Sequence, residues 1–111
     1  MPPSETSLLQ GNLDVLILRA LEDGPSHGYG IARRVREASD GAFVIEDRAL
    51  YIALHRLEER GWLVATWGAS ENNRRARFYR LSSAGKRALA RKQREWRSHA
   101  AAMFKALGLK P

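Results

Sequence analysis

The chain contains no cysteine among its 111 residues. Disulfides, thiolate metal sites and a cysteine nucleophile are therefore excluded, and a reducing compartment is the simplest expectation. No apolar run approaches the roughly eighteen residues that a membrane-spanning helix needs. The opening Met-Pro-Pro-Ser-Glu-Thr-Ser lacks the basic and apolar regions of a secretory signal, so a cytoplasmic protein is expected. Catalytic motifs are missing as well. There is no P-loop, no Gly-x-Ser-x-Gly and no pairing of carboxylates for acid–base work. His27, His55 and His99 lie far apart in sequence and outside any zinc-ligand spacing. No enzyme, metal or cofactor is expected.

Acidic residues are scarce in one part of the chain. After Glu71 the sole acid is Glu95, against 12 Lys and Arg, a net +11. Residues 1–71 carry 7 basic and 11 acidic groups, a net −4. The whole chain stands at +7, and Arg supplies 15 of its 19 basic residues. Arginine favours bidentate contacts to phosphate and base edges, whereas lysine acts as a point charge. This asymmetry points to a polyanion partner for the second part. The plain alternative is a solubilising surface charge. The length suits one domain with at most one appended element, and 44% hydrophobic residues can fill a modest core.

Hydrophobic periodicity predicts a first helix over residues 7–22, with Leu9, Leu13, Leu16, Ile17, Ala20 and Leu21 on one stripe. Asp23-Gly24-Pro25 stops it. Ser26 is the expected N-cap of a second helix over 27–38, which buries Ile31 and Val35. After the Ser39-Asp40-Gly41 turn, Phe43-Val44-Ile45 reads as a short strand. Asp47 is the expected cap of a third helix, over 47–60, ended by Gly61. Its Leu50, Leu54 and Leu57 lie within about 60° of one another, and Arg48, Ile52, His55, Arg56 and Glu59 occupy the opposite arc, flanked by Tyr51. Residues 62–67 and 75–81 alternate with period two and form a hairpin with a long tip. Ser82 or Ser83 caps a last helix reaching about residue 107. There Leu89, Gln93, Trp96, Ala100, Met103 and Leu107 make a heptad seam, longer than a small head can cover. The fold class is mainly α with a small β-hairpin: a winged helix-turn-helix over 1–81 and a C-terminal dimerisation helix over 82–111.

The third helix is the candidate duplex reader, with one face packed and the other free for base edges. Arg48 suits guanine, Ile52 a thymine methyl, and Tyr51, His55 and Arg56 bases or phosphates. The alternative is an ordinary amphipathic surface helix, which Glu58-Glu59 fits as solvent-facing acids. In the hairpin, Arg74, Arg75 and Arg77 place three guanidiniums within four positions. Folding gives no reason for such repulsion, whereas phosphates or a narrow minor groove do; the alternative is a solvated charge run. Ser26-His27-Gly28-Tyr29-Gly30 fails as a dinucleotide fingerprint. It reads as a helix start approaching phosphate, with Tyr29 as donor, or as a tight corner between helices. Trp96 is either seam packing or one wall of an aromatic slot between two chains, with Met103 beside it. Trp62 and Trp67 read as core or edge residues.

Taken together, several stretches resemble the PadR family of transcriptional regulators, in its short form with one C-terminal helix. They are Leu9-Gln10-Gly11-Asn12-Leu13-Asp14, His27-Gly28-Tyr29-Gly30-Ile31, Leu50-Tyr51-Ile52-Ala53-Leu54-His55-Arg56-Leu57-Glu58, Gly61, Trp67-Gly68, Glu71-Asn72-Asn73-Arg74-Arg75-Ala76-Arg77-Phe78-Tyr79, Leu81-Ser82 and Gly85. The resemblance covers about residues 8–107. It implies a homodimeric repressor whose first and last helices form the dimer, through Leu9, Leu13 and the seam residues. It also implies that Tyr29 touches phosphate, that the third helix enters the major groove, and that the arginine-rich wing meets backbone or minor groove. Some relatives release DNA when a planar aromatic compound binds near the dimer interface; here Trp96 and Met103 would meet it. Two departures fall on the reading face. Arg48-Ala49 stands where the family has Gly-Ser, and Ile52 where it has Pro, so an altered operator is expected with Arg48 supplying the missing contact. A basic RNA-binding or ribosome-associated protein is the competing expectation; it would stack unpaired bases on exposed aromatics.

Overall fold

The structure is a computed structural model that describes the backbone of residues 3–111 and the side chains of residues 12–111. Four helices and one hairpin follow in the order α1 (Pro3–Glu22), α2 (Gly28–Ala38), α3 (Asp47–Glu59), β1 (Leu63–Ala69), β2 (Arg75–Leu81) and α4 (Ser83–Leu107). The helical periodicities foreseen in the sequence meet in one core. Ile17, Leu18 and Leu21 of α1, Ile31 and Val35 of α2, and Leu50, Leu54 and Leu57 of α3 are buried together. Leu18, outside the expected stripe, is fully buried, while Leu16 is only half-buried.

The corner after α1 is held by a side chain from α2. The Arg34 guanidinium donates to the carbonyls of Ala20 at 3.0 Å and Gly24 at 2.7 Å, and to that of Pro25 at 3.3 Å. These are end-of-helix and turn carbonyls that would otherwise need water. Arg34→Ala is expected to lower stability by about 1–3 kcal/mol, the cost of charge-assisted bonds left unmade. Thermal or urea unfolding reads this directly, and an unchanged midpoint would contradict the role.

Three local expectations are corrected. His27, not Ser26, caps α2: its Nδ1 accepts from the Gly30 amide at 3.1 Å. The Ser26 backbone instead forms an antiparallel bridge with Tyr79, with N–O distances of 3.1 and 2.9 Å. Residues 43–45 form no strand; Ser39 Oγ accepts from the Phe43 amide at 3.0 Å, and the segment delivers Ile45 to the core. Asp47 is the first residue of α3, after Glu46 at the cap position. Its carboxylate still suits the positive end of the helix dipole.

β1 and β2 pair antiparallel from Leu63 opposite Leu81 to Ala69 opposite Arg75. The base of the hairpin is anchored by buried Leu63, Tyr79 and Leu81, and its tip leaves the head. Ser82 caps α4, accepting from the Gly85 amide at 3.0 Å. Gly85, Ala88 and Leu89 are buried in the head, so α4 belongs to the core before it projects. At about 1.5 Å per residue its 25 residues account for much of the 50 Å long axis of the molecule. Among the described residues no helix is long and apolar enough to cross a membrane.

Candidate nucleic-acid interface

Burial of Leu50, Leu54 and Leu57 on one side of α3 turns Arg48, Tyr51, Ile52 and His55 outward. Tyr51 is 56% exposed and Ile52 55%, an uncommon state for an aliphatic side chain on a charged helix face. His55 is also exposed and pairs with Glu59 at 2.9 Å, one turn on. Arg56 behaves differently from the expected reader. Its guanidinium is held by Asp14 of α1, a carboxylate that Arg60 also approaches at 3.9 Å. Arg56 thus ties α3 to α1 through one guanidinium nitrogen, with its side chain still 41% exposed.

Between α3 and the wing lies a cleft of about 720 Å³. His27 and Tyr29 from the start of α2, Tyr51 and His55 from α3, and Arg74 and Arg75 from the wing all face it. Tyr29 is 70% exposed, with the Arg33 guanidinium 5.9 Å from its ring centre. Arg33 also reaches Glu71 at the wing tip, at 3.7 Å. The glycines at this corner serve close packing. A Cβ on Gly28 would sit 3.2 Å from the Tyr51 hydroxyl, so α2 begins almost on top of α3. The tight corner therefore leaves Tyr29 exposed beside it.

The wing decides between the core and edge readings of Trp67. Trp67 is 59% exposed, not core. It stands opposite Arg77 in the strand register, and the Arg75 guanidinium lies 4.3 Å from its ring centre. Strand alternation places Trp67 on the face that anchors the base through Leu63 and Tyr79. At the tip that face has left the head, which the alternation alone does not reveal. Arg77 is held at 2.9 Å by Glu58, whose half-buried carboxylate lines the cleft. Burial pushes the Tyr79 hydroxyl above the ordinary tyrosine pKa, and Arg77 partly opposes that shift.

A second region lies on the far side, where an apolar groove of about 780 Å³ runs between α1 and the projecting part of α4. Val15, Leu16, Phe43, Trp96, Ala100 and Phe104 line it, with Gln93 at its edge. Trp96 is half exposed, and its indole N–H donates to Asn12 Oδ1 at 2.9 Å. Met103 and Leu107 are exposed on the adjoining flank of α4 and do not line the groove. Phe104, absent from the expected seam, does. Two seam expectations are corrected: Leu13 and Leu89 are buried in the protomer's own core and have no surface to offer a second copy. Leu9 lies outside the described side chains. Among the described residues no three His, Cys, Asp or Glu converge as metal ligands.

Comparison with known proteins agrees with this architecture. The profile of the transcriptional regulator PadR-like family matches residues 17–91. A transcriptional regulator from Clostridium thermocellum is 31% identical, with 89% of this chain and 96% of that one covered and a TM-score of 0.81. A PadR family transcription regulator from Clostridium difficile is 33% identical over 86% of this chain and 98% of its own, with a TM-score of 0.75. An uncharacterized protein from Lysinibacillus sphaericus is 29% identical over 91 residues, 82% of this chain and 84% of its own.

Proposed function

We propose that this chain, which belongs to the PadR-like family of transcriptional regulators and is a DNA-binding regulator rather than an enzyme, works as a homodimeric repressor of an inverted-repeat operator. The observation that carries the reading is the α3–wing cleft. It sets Tyr51 and His55 of α3 against Arg74 and Arg75 of the wing, and Arg48 and Ile52 are exposed on α3 outside the cleft. One strand of a duplex would run through it, with α3 in the major groove and the wing tip reaching the neighbouring minor groove. Tyr29 and the start of α2 suit a phosphate of that strand. Arg48 reads a base or takes over a phosphate contact. Dimerisation uses the face of α4 that carries Trp96, Ala100, Met103 and Leu107, with α1 beside it. A planar aromatic effector would stack on Trp96 in that interface and favour one arrangement of the two heads.

Titration with duplex DNA, single-stranded DNA and RNA tests the reading. Duplex is expected to bind tightest, and a preference for unpaired RNA would overturn it. Within the duplex arm, Arg75→Gln should weaken all sequences alike. It should also flatten the slope of log Kd against log salt by about 0.9, one released phosphate counterion. A loss confined to one sequence would assign Arg75 to base readout instead.

A further inference from the structure

Glu58 is out of place in a surface meant for phosphate. It sits on α3, lines the α3–wing cleft, and carries negative charge where a DNA backbone would pass. It is only partly solvated there: its side chain is 28% exposed and bonded at 2.9 Å to Arg77. The Arg77 guanidinium in turn lies 6.0 Å from the Trp67 ring centre and 5.9 Å from that of Tyr79. A carboxylate and two aromatic faces thus define its position, which a freely solvated arginine would not have. The pair joins the recognition helix directly to the wing strand at the floor of the cleft.

We propose that Glu58 determines specificity by acting on Arg77. It fixes the root of the wing against α3 and keeps the Arg77 charge from the phosphates. The proposal rests on the DNA-binding reading above and assigns the neighbouring arginines different tasks. Arg75, with no carboxylate in the described structure, supplies affinity that ignores sequence. Arg77, neutralised by Glu58, supplies geometry: the spacing between the element in the major groove and the element beyond the backbone. A free Arg77 would add one more sequence-blind phosphate contact and loosen that spacing, and both changes erode the ratio of specific to non-specific binding.

The test is a salt series on a random-sequence duplex and on a duplex enriched by selection, with thermal unfolding to confirm that each variant folds. Glu58→Gln is expected to steepen the salt slope on random duplex by about 0.9, the value of one phosphate contact. It should lower the ratio of enriched to random affinity. In an Arg77→Gln background the same change should have no further effect on the slope. Persistence of the steepening there would show that Glu58 is a simple repulsive charge and would overturn the proposal. So would a Glu58→Gln slope equal to that of the unsubstituted protein. Arg77→Gln alone gives an independent check: it should flatten the slope by much less than Arg75→Gln, and an equal loss contradicts the assignment. Failure of the unsubstituted protein to bind any duplex would instead overturn the DNA-binding reading, and the proposal with it.

Discussion

Met103→Asp combined with Leu107→Asp is expected to turn the protein into a monomer and to abolish tight operator binding. Both side chains are exposed in a single protomer, at 44% and 61%, so the substitutions remove nothing from its core. In a dimer sealed along α4 they would instead bury two unpaired carboxylates from each protomer. Each uncompensated charge costs about 3–5 kcal/mol, and about 1.4 kcal/mol corresponds to a tenfold change in dissociation constant. A weakening of the dimer by a hundredfold or more follows. A two-fold operator binds a monomer through one half-site only, so the loss of affinity should appear there and leave the melting of the head nearly unaffected. Sedimentation of the variant, paired with operator titration, checks both parts. A variant that remains dimeric would move the interface off this face of α4.

The second large effect concerns stability. In a helix interior, glycine to alanine normally stabilises by up to about 1 kcal/mol. Gly85→Ala should reverse that sign. A Cβ at this position would lie 2.1 Å from the Trp62 carbonyl oxygen and 3.0 Å from its carbonyl carbon. These are backbone atoms, so no rotamer change relieves the clash. The same carbonyl accepts from the Ser82 amide at 3.0 Å, which ties the end of the wing to the strand that opens it. The first turn of α4 would have to move away and take Ala88 and Leu89 partly out of the core. Overpacking of this kind costs about 1–3 kcal/mol, occasionally more, on top of the forfeited alanine gain. A drop in Tm of the order of 10 °C is expected for a domain of this size. A rise in Tm would show that the α4 start is not packed this tightly.

Much of this architecture was legible because it is periodic. The leucine spacing of α3 predicted its buried face, and the turn residues Gly24, Gly41 and Gly61 mark the ends of elements, each with a positive φ. Alternation placed the hairpin within two residues of its observed strands. What escaped depends on partners distant in the chain. Ser26 looks like a helix cap, yet its backbone is drawn into a bridge by Tyr79, and the neighbouring imidazole takes over the capping. Arg56 and Arg77 read as two more members of a basic surface. Their partners, Asp14 and Glu58, lie on other elements, and only the packing of α1 and the wing against α3 brings them within reach. For Trp67 the alternation alone does not choose between core and edge. Here the strand outruns the head that would have covered it. The heptad seam is legible in α4, but its first member, Leu89, is claimed by the core before the helix projects.

The most direct test is selection of bound sequences from a random duplex library by the purified full-length protein at physiological salt. Sequence-reading by a two-fold dimer predicts an enriched inverted repeat, with half-sites about one helical turn apart, that is lost in the Met103→Asp/Leu107→Asp variant. Recovery of no motif, with binding that depends only on salt, would contradict it and reduce the exposed face of α3 to an ordinary helix surface.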